Sequence, residues 1–199
     1  MTAARTPIRI ALLAATLAAT PLAAQKQPDS ELLLEAIAEQ RNNDVVDLVT
    51  RKGRSIINVR GYSGATPLTV AMRNRSTAYV NYLLQNGAEP NLADKQGDTA
   101  LMIAARLGVL EGVNTMFSGK ASVDAANRQG ETALIIAVQN RHTAVVKRLM
   151  EAGASIKRTD NAGLSARDYA LRDRRSSEIL KLIEGVKPKP VFVAGPIIN

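Results

Sequence analysis

Gly64, Gly97, Gly130 and Gly163 stand 33 residues apart. A variant of one phrase follows each: Thr66-Pro67-Leu68, Thr99-Ala100-Leu101, Thr132-Ala133-Leu134 and the weaker Ser165-Ala166-Arg167. A strict period of this length marks a repeat array, in which each unit buries its apolar face only against its neighbours. Such arrays usually bind, and seldom catalyse.

Segments 64–96, 97–129 and 130–162 align without gaps. Leu68, Leu101 and Leu134 coincide, as do Val70, Ile103 and Ile136, and the small Ala71, Ala104 and Ala137. Later in each unit come Val80, Val113 and Val146, then Leu83, Met116 and Leu149. Each set falls at helical spacing, and a polar break such as Arg73-Asn74-Arg75-Ser76 separates the two. Each unit therefore reads as helix, tight turn, helix. It closes on a turn segment such as Asn86-Gly87-Ala88-Glu89-Pro90-Asn91, where Gly and Asn suit positive φ and Pro stops a helix. The Thr of each phrase suits a helix N-cap, and Pro67 suits the first helical position, where its missing N–H is no loss.

These features resemble the ankyrin repeat. The resemblance rests on Gly-x-Thr-Pro-Leu, Ala71, the helix through Val80, Leu83 and Leu84, and the closing Asn86-Gly87-Ala88. Asp94, Asn127 and Asp160 precede their glycines by three residues, where that family carries a turn-forming Asp. The implied fold is an all-α solenoid of stacked helix-turn-helix units with short hairpin-like loops, about five units including caps. The expected division is a degenerate N-terminal cap at 31–63, repeats at 64–96, 97–129 and 130–162, and a partial C-terminal cap at 163–184. The N-terminal cap lacks the phrase but holds Leu33, Leu34, Ile37, Val45, Val46, Leu48 and Val49, enough for a helix pair. Arg167 replaces a core Leu, which makes the last unit a polar cap.

The chain departs from the family in two places. The family's His after the phrase is Thr69, Met102, Ile135 and Asp168 here. Arg75 and Arg141 stand where the family has a Gly between helices, and Gly108 keeps it. His142, the sole histidine, is expected to brace a turn.

The termini differ from the array. Residues 1–24 hold Arg5 and Arg9 but no acid, then the apolar run from Ile10 to Ala19, then small residues to Ala24. That is the layout of a cleavable secretory signal, with the apolar run too short for a comfortable membrane span. A linker at 25–30 would follow, and the mature chain would reside in a periplasm, or alternatively be secreted. The tail, 185–199, carries Lys187-Pro-Lys-Pro190 and then an apolar end, which fits a loosely packed terminus, folding back over the last repeat, or adding to a partner as a strand.

Composition narrows the chemistry. The chain has no Cys and one His, which excludes disulfides, thiol chemistry and most zinc sites. No Gly-Lys-Ser/Thr follows a glycine loop, and the pairs Asp44/Asp47, Asp94/Asp98 and Asp168/Asp173 fit turns and helix starts better than acid–base work. No catalytic residue, cofactor or metal is expected. The formal charge is +8; without Arg5 and Arg9 it is +6, from 24 basic against 18 acidic residues. Nucleic acid is not expected, since no aromatics interleave with the basic residues.

Two binding modes remain. By resemblance, a protein partner docks without chemistry on the concave face of loop tips and first helices. The tip candidates are Tyr62, Asp94, Lys95, Gln96, Asn127, Arg128, Gln129, Asp160 and Asn161. The helix candidates are Thr69, Arg73, Met102, Arg106, Ile135 and Gln139. Met102 and Ile135 fit either extra core or the apolar centre of an interface. The second mode is binding of anionic envelope material through basic residues such as Arg73, Arg75, Arg106, Arg141 and Arg175.

Overall fold

A computed structural model describes residues 28–185. The expected signal segment, and the tail beyond Gly185, lie outside the described residues. The described chain is all-α. Helices α1 (Asp29–Ala38) and α2 (Asn42–Lys52) form the first pair, followed by a short α3 (Arg54–Ile57). Three regular pairs follow: α4 (Pro67–Arg73) with α5 (Thr77–Gln85), α6 (Ala100–Leu107) with α7 (Leu110–Ser118), and α8 (Ala133–Gln139) with α9 (Thr143–Glu151). The last unit is α10 (Ala166–Arg172), a 3-10 turn at Arg174–Ser176, and α11 (Ser177–Gly185). The result is five helix-turn-helix units. Inner helices α1, α4, α6, α8 and α10 pack in sequence along one layer; outer helices α5, α7, α9 and α11 pack along the other.

The phrase after each glycine begins each inner helix. Thr66 accepts from Thr69 N–H (3.2 Å), Thr99 from Met102 N–H (3.3 Å), Thr132 from Ile135 N–H (3.4 Å), and Ser165 from Asp168 N–H (3.3 Å). The positions where the family carries His shape these caps differently. Thr69 Oγ1 and the Asp168 carboxylate accept back from the cap residue's own N–H at 2.8 Å, completing a capping box. The Thr99 N–H meets only the Met102 sulfur, at 3.4 Å, a weak acceptor.

Both helices of each regular unit end in a left-handed residue that folds the chain back. Arg75 (φ 55°), Gly108 (71°) and Arg141 (58°) end the inner helices; Gly87 (90°), Lys120 (63°) and Gly153 (91°) end the outer ones. The next N–H then reaches back to close the turn, as in Ser76 to Ala71 O (3.0 Å) and Ala121 to Met116 O (2.9 Å). His142 braces one of these turns from the adjacent unit, its Nε2 lying 3.0 Å from Arg106 O.

Ala71, Ala104 and Ala137 are fully buried between adjacent inner helices, as close stacking requires. The core is one continuous cluster from Leu33 to Ile183, with Leu68, Leu101, Leu134, Leu83, Met116 and Leu149 at its repeating positions. Several details differ from the sequence reading. Helix α1 takes in residues 29 and 30, where a linker is expected, and α11 includes Gly185. Val46 lies on the outer side of α2 at 48% exposure, while α3, which no repeat pattern announces, buries Ile56 and Ile57 in its place. Arg167 is exposed and pairs with Glu184 (2.8 Å), the polar finish expected of a terminal unit.

Candidate partner-binding face

Between units the chain makes a tight hairpin that projects beside the inner helices. One device builds the last three. Asp94 Oδ1 accepts from Gln96 N–H (2.8 Å) and Asp98 N–H (2.9 Å). Asn127 repeats this with Gln129 and Glu131 (3.0 and 2.9 Å), and Asp160 with Ala162 and Leu164 (both 2.9 Å). A short side-chain acceptor that mimics a backbone turn is the reason Asp or Asn recurs here. Each hairpin also bonds to the one before: Lys95 N–H to Gly64 O (3.0 Å), Arg128 N–H to Gln96 O (3.2 Å), Asn161 N–H to Gln129 O (2.9 Å). Positive φ is common to all four glycines of the period, and close approach to a backbone nitrogen adds a second demand at the middle two. A Cβ on Gly97 would lie 2.9 Å from Arg128 N, and one on Gly130 2.9 Å from Asn161 N; both glycines also have positive φ.

Behind the tips, a polar ladder ties hairpins to inner helices. Arg73 pairs with Asp94, and Arg106 with Asp98 through Nη1 (2.5 Å) and Nη2 (3.3 Å). Asn127 Nδ2 donates to Asp98 (2.9 Å) and Glu131 (3.0 Å), and Gln139 Nε2 to Glu131 (3.0 Å). Tyr169 O–H donates to Asp160 at 2.6 Å. Burial alone would disfavour charge on Asp98. The hydrogen bonds from Arg106 and Asn127, with the positive charges of Arg106 and Arg73, outweigh it and hold the carboxyl below the usual range. The Tyr169 hydrogen bond does the same for Asp160, and the Tyr169 phenol is raised in return.

The candidates separate into three groups. Tyr62, Lys95, Gln96, Arg128, Gln129 and Asn161 are exposed at the tips, and Arg73 on α4 is exposed beside them. Asp160, Arg106 and Gln139 are half-buried in the ladder. The rest do not reach the surface. Met102 and Ile135 are each 1% exposed, so they are core: an apolar side chain at the position of a capping residue turns inward with the rest of its helix. Thr69 is fully buried because its hydroxyl serves the cap. Asp94, at 4%, and Asn127 are buried because their side chains hold the turn together from within.

The sequence reading did not assign Asp98, Glu131 or Tyr169 to this face, although Asp98 and Glu131 stand 33 residues apart, a signal the period offered. It also missed a cleft of about 380 Å3 at the N-terminal end, between α1 and the first hairpin, bordered by Glu31, Glu35 and Tyr62. Among the described residues, no group of three or more His, Cys, Asp or Glu side chains is placed to hold a metal ion. The carboxylate pairs do structural work: Asp44 binds Arg41 (2.7 Å), Asp168 caps α10, and Asp173 caps the 3-10 turn.

No curated protein matches the chain. Two overlapping segments, 22–127 and 101–189, match the family described as Ankyrin repeats (3 copies), and together they span most of the sequence. Matching sequence, a repeated Thr-capped helix pair and a shared hairpin turn agree, and the chain belongs to the ankyrin-repeat family.

Proposed function

We propose that this array is a non-catalytic scaffold of the cell envelope that docks a partner protein on the face of hairpin tips and inner helices. The carrying observation is the stitching of the hairpins. Lys95, Gln96, Arg128 and Gln129 are exposed on loops whose backbones are fixed by their neighbours. A surface ordered in advance loses less entropy on binding. Ankyrin repeats imply a protein partner. Among the described residues, no helix is long and apolar enough to cross a membrane.

The envelope location rests on Arg5, Arg9, the apolar run and the small residues ending at Ala24. N-terminal sequencing of the envelope form should begin at Gln25; an intact Met1 on cytosolic protein would remove the location from the proposal.

Docking itself is tested by capture from an envelope fraction, using wild type beside a variant with Lys95, Gln96, Arg128 and Gln129 changed to Ala. One stoichiometric protein, retained by wild type and lost by the variant, supports the scaffold. Recovery of only lipid or polysaccharide, released by salt, supports the second reading of a basic surface. Arg73, Arg106, Arg141 and Arg175 each have a carboxylate partner within the chain, which weakens that reading at those four; Arg75, Lys95 and Arg128 are exposed and remain available to it.

A further inference from the structure

The polar ladder stops at the first hairpin. Where later units carry Asp94, Asn127 and Asp160, the first has Gly61; where they carry Asp98 and Glu131, it has Ala65. Neither can receive a guanidinium or an amide. The turn is held instead by α1 of the preceding pair, where Glu31 Oε1 accepts the Tyr62 N–H. Side chains from α1 take the room that Gly61 leaves: a Cβ there would collide with Leu34 Cδ1 and fall 2.6 Å from Glu31 Oε1.

The result is the cleft of about 380 Å3. Leu34, Ala38 and Val70 are among its apolar lining residues. Glu31 and Glu35, one helical turn apart on α1, line it as well; Glu31 Oε1 holds the Tyr62 N–H, and Glu35 meets Arg41 at 3.8 Å, an arginine held more closely by Glu39 (2.9 Å) and Asp44 (2.7 Å), so the carboxylates at this end outnumber their in-chain cation. Tyr62, 80% exposed, stands at its edge, where the next two hairpins carry Lys95 and Arg128. An exposed aromatic beside an apolar cleft is the usual form of an interface anchor. This acidic end belongs to a chain whose net charge is +6 without Arg5 and Arg9, from 24 basic against 18 acidic residues, and the neighbouring tips along the same face are basic.

We propose that this cleft is the specificity pocket of the docking face, and that it receives a partner segment with an apolar anchor flanked by Lys or Arg. Apolar burial supplies the hold, and Glu31 and Glu35 select cationic flanks and reject acidic ones. The inference rests on the docking reading above and adds the partner's chemistry and its orientation, with the cationic end over α1.

The test is fluorescence anisotropy on the full chain with two synthetic peptides, each with a Leu-Phe centre, one flanked by lysines and the other by glutamates. The lysine peptide should bind about tenfold more tightly, an advantage that shrinks with added salt. Glu31→Gln with Glu35→Gln should abolish the preference. The Glu31→Gln change keeps an amide oxygen for the Tyr62 N–H, and unchanged thermal unfolding would show that the fold survives. Tyr62→Ala should weaken the lysine peptide. Equal binding of the two peptides, a preference that survives the double substitution, or no binding of either overturns the pocket. If a captured partner is lost with the Lys95, Gln96, Arg128 and Gln129 variant yet ignores the double substitution on α1, the pocket fails while the docking reading stands.

Discussion

Arg73, at the end of α4, donates to the carboxylate of Asp94, which sits in the hairpin that opens the following unit. The pair spans two layers of the array: a helix that packs the core and a loop whose neighbouring residues form the tips. Asp94 is the more deeply committed partner. Its other oxygen already holds two backbone N–H groups, and its side chain is almost wholly buried, whereas Arg73 is half in water.

Asp94→Ala should therefore cost more than Arg73→Ala. Removing the carboxylate leaves one buried and one part-buried backbone donor and a guanidinium without their acceptor, about 2–3 kcal/mol; removing the arginine should cost about 1 kcal/mol, since its exposed end is screened. Asp94→Asn should fall between, because Asn127 performs the same turn in the next unit. Urea unfolding of the three variants orders them.

Arg75 and Lys120 occupy left-handed backbone where sister units use Gly108, Gly87 and Gly153. A side chain there costs about 1–2 kcal/mol, and glycine's greater freedom in the unfolded chain returns part of that. Arg75→Gly and Lys120→Gly should each raise stability by about 0.5–1 kcal/mol. A lower urea midpoint for both would show that their side chains contribute more than the turn does.

Asp98 makes stability depend on acid. Its folded pKa lies below the unfolded value, so its contribution is fully present above the unfolded pKa of about 4. It is lost as pH falls from there through the folded pKa. The stability gap between wild type and Asp98→Asn should be widest at neutral pH and close in that acidic window. A gap that stays constant to low pH would contradict the Arg106 and Asn127 pairing.

Ile135→Ala should cost about 2–4 kcal/mol, a core value, because the side chain is enclosed. Partner affinity, measured well below the melting transition, should be unchanged. Affinity loss without destabilisation would return Ile135 to the interface.

The sequence was most legible where one residue type answers one local need. The Thr caps, the small Ala71 series and the turn-forming Asp94 series follow from backbone geometry within a few residues, so a period reveals them. Arg75 and Arg141 could be placed at a glycine position for the same reason. The site was less legible. Asp94 and Asn127 look like surface residues because polar side chains in loops usually are, yet each turns inward to satisfy its own hairpin. The pairing of Arg73 with Asp94, and the cleft left by Gly61, depend on how one unit sits against the next. Only the absence of an expected Asp marks the cleft in the sequence.

Photo-crosslinking distinguishes the faces most directly. A photoreactive residue placed singly at Gln96 or Gln129, on the tips, should trap the partner. The same residue at Val46 on α2 or Leu110 on α7, each exposed on the second helix of its pair, should trap none. Equal or stronger crosslinking from Val46 or Leu110 would contradict docking on the face of hairpins and inner helices.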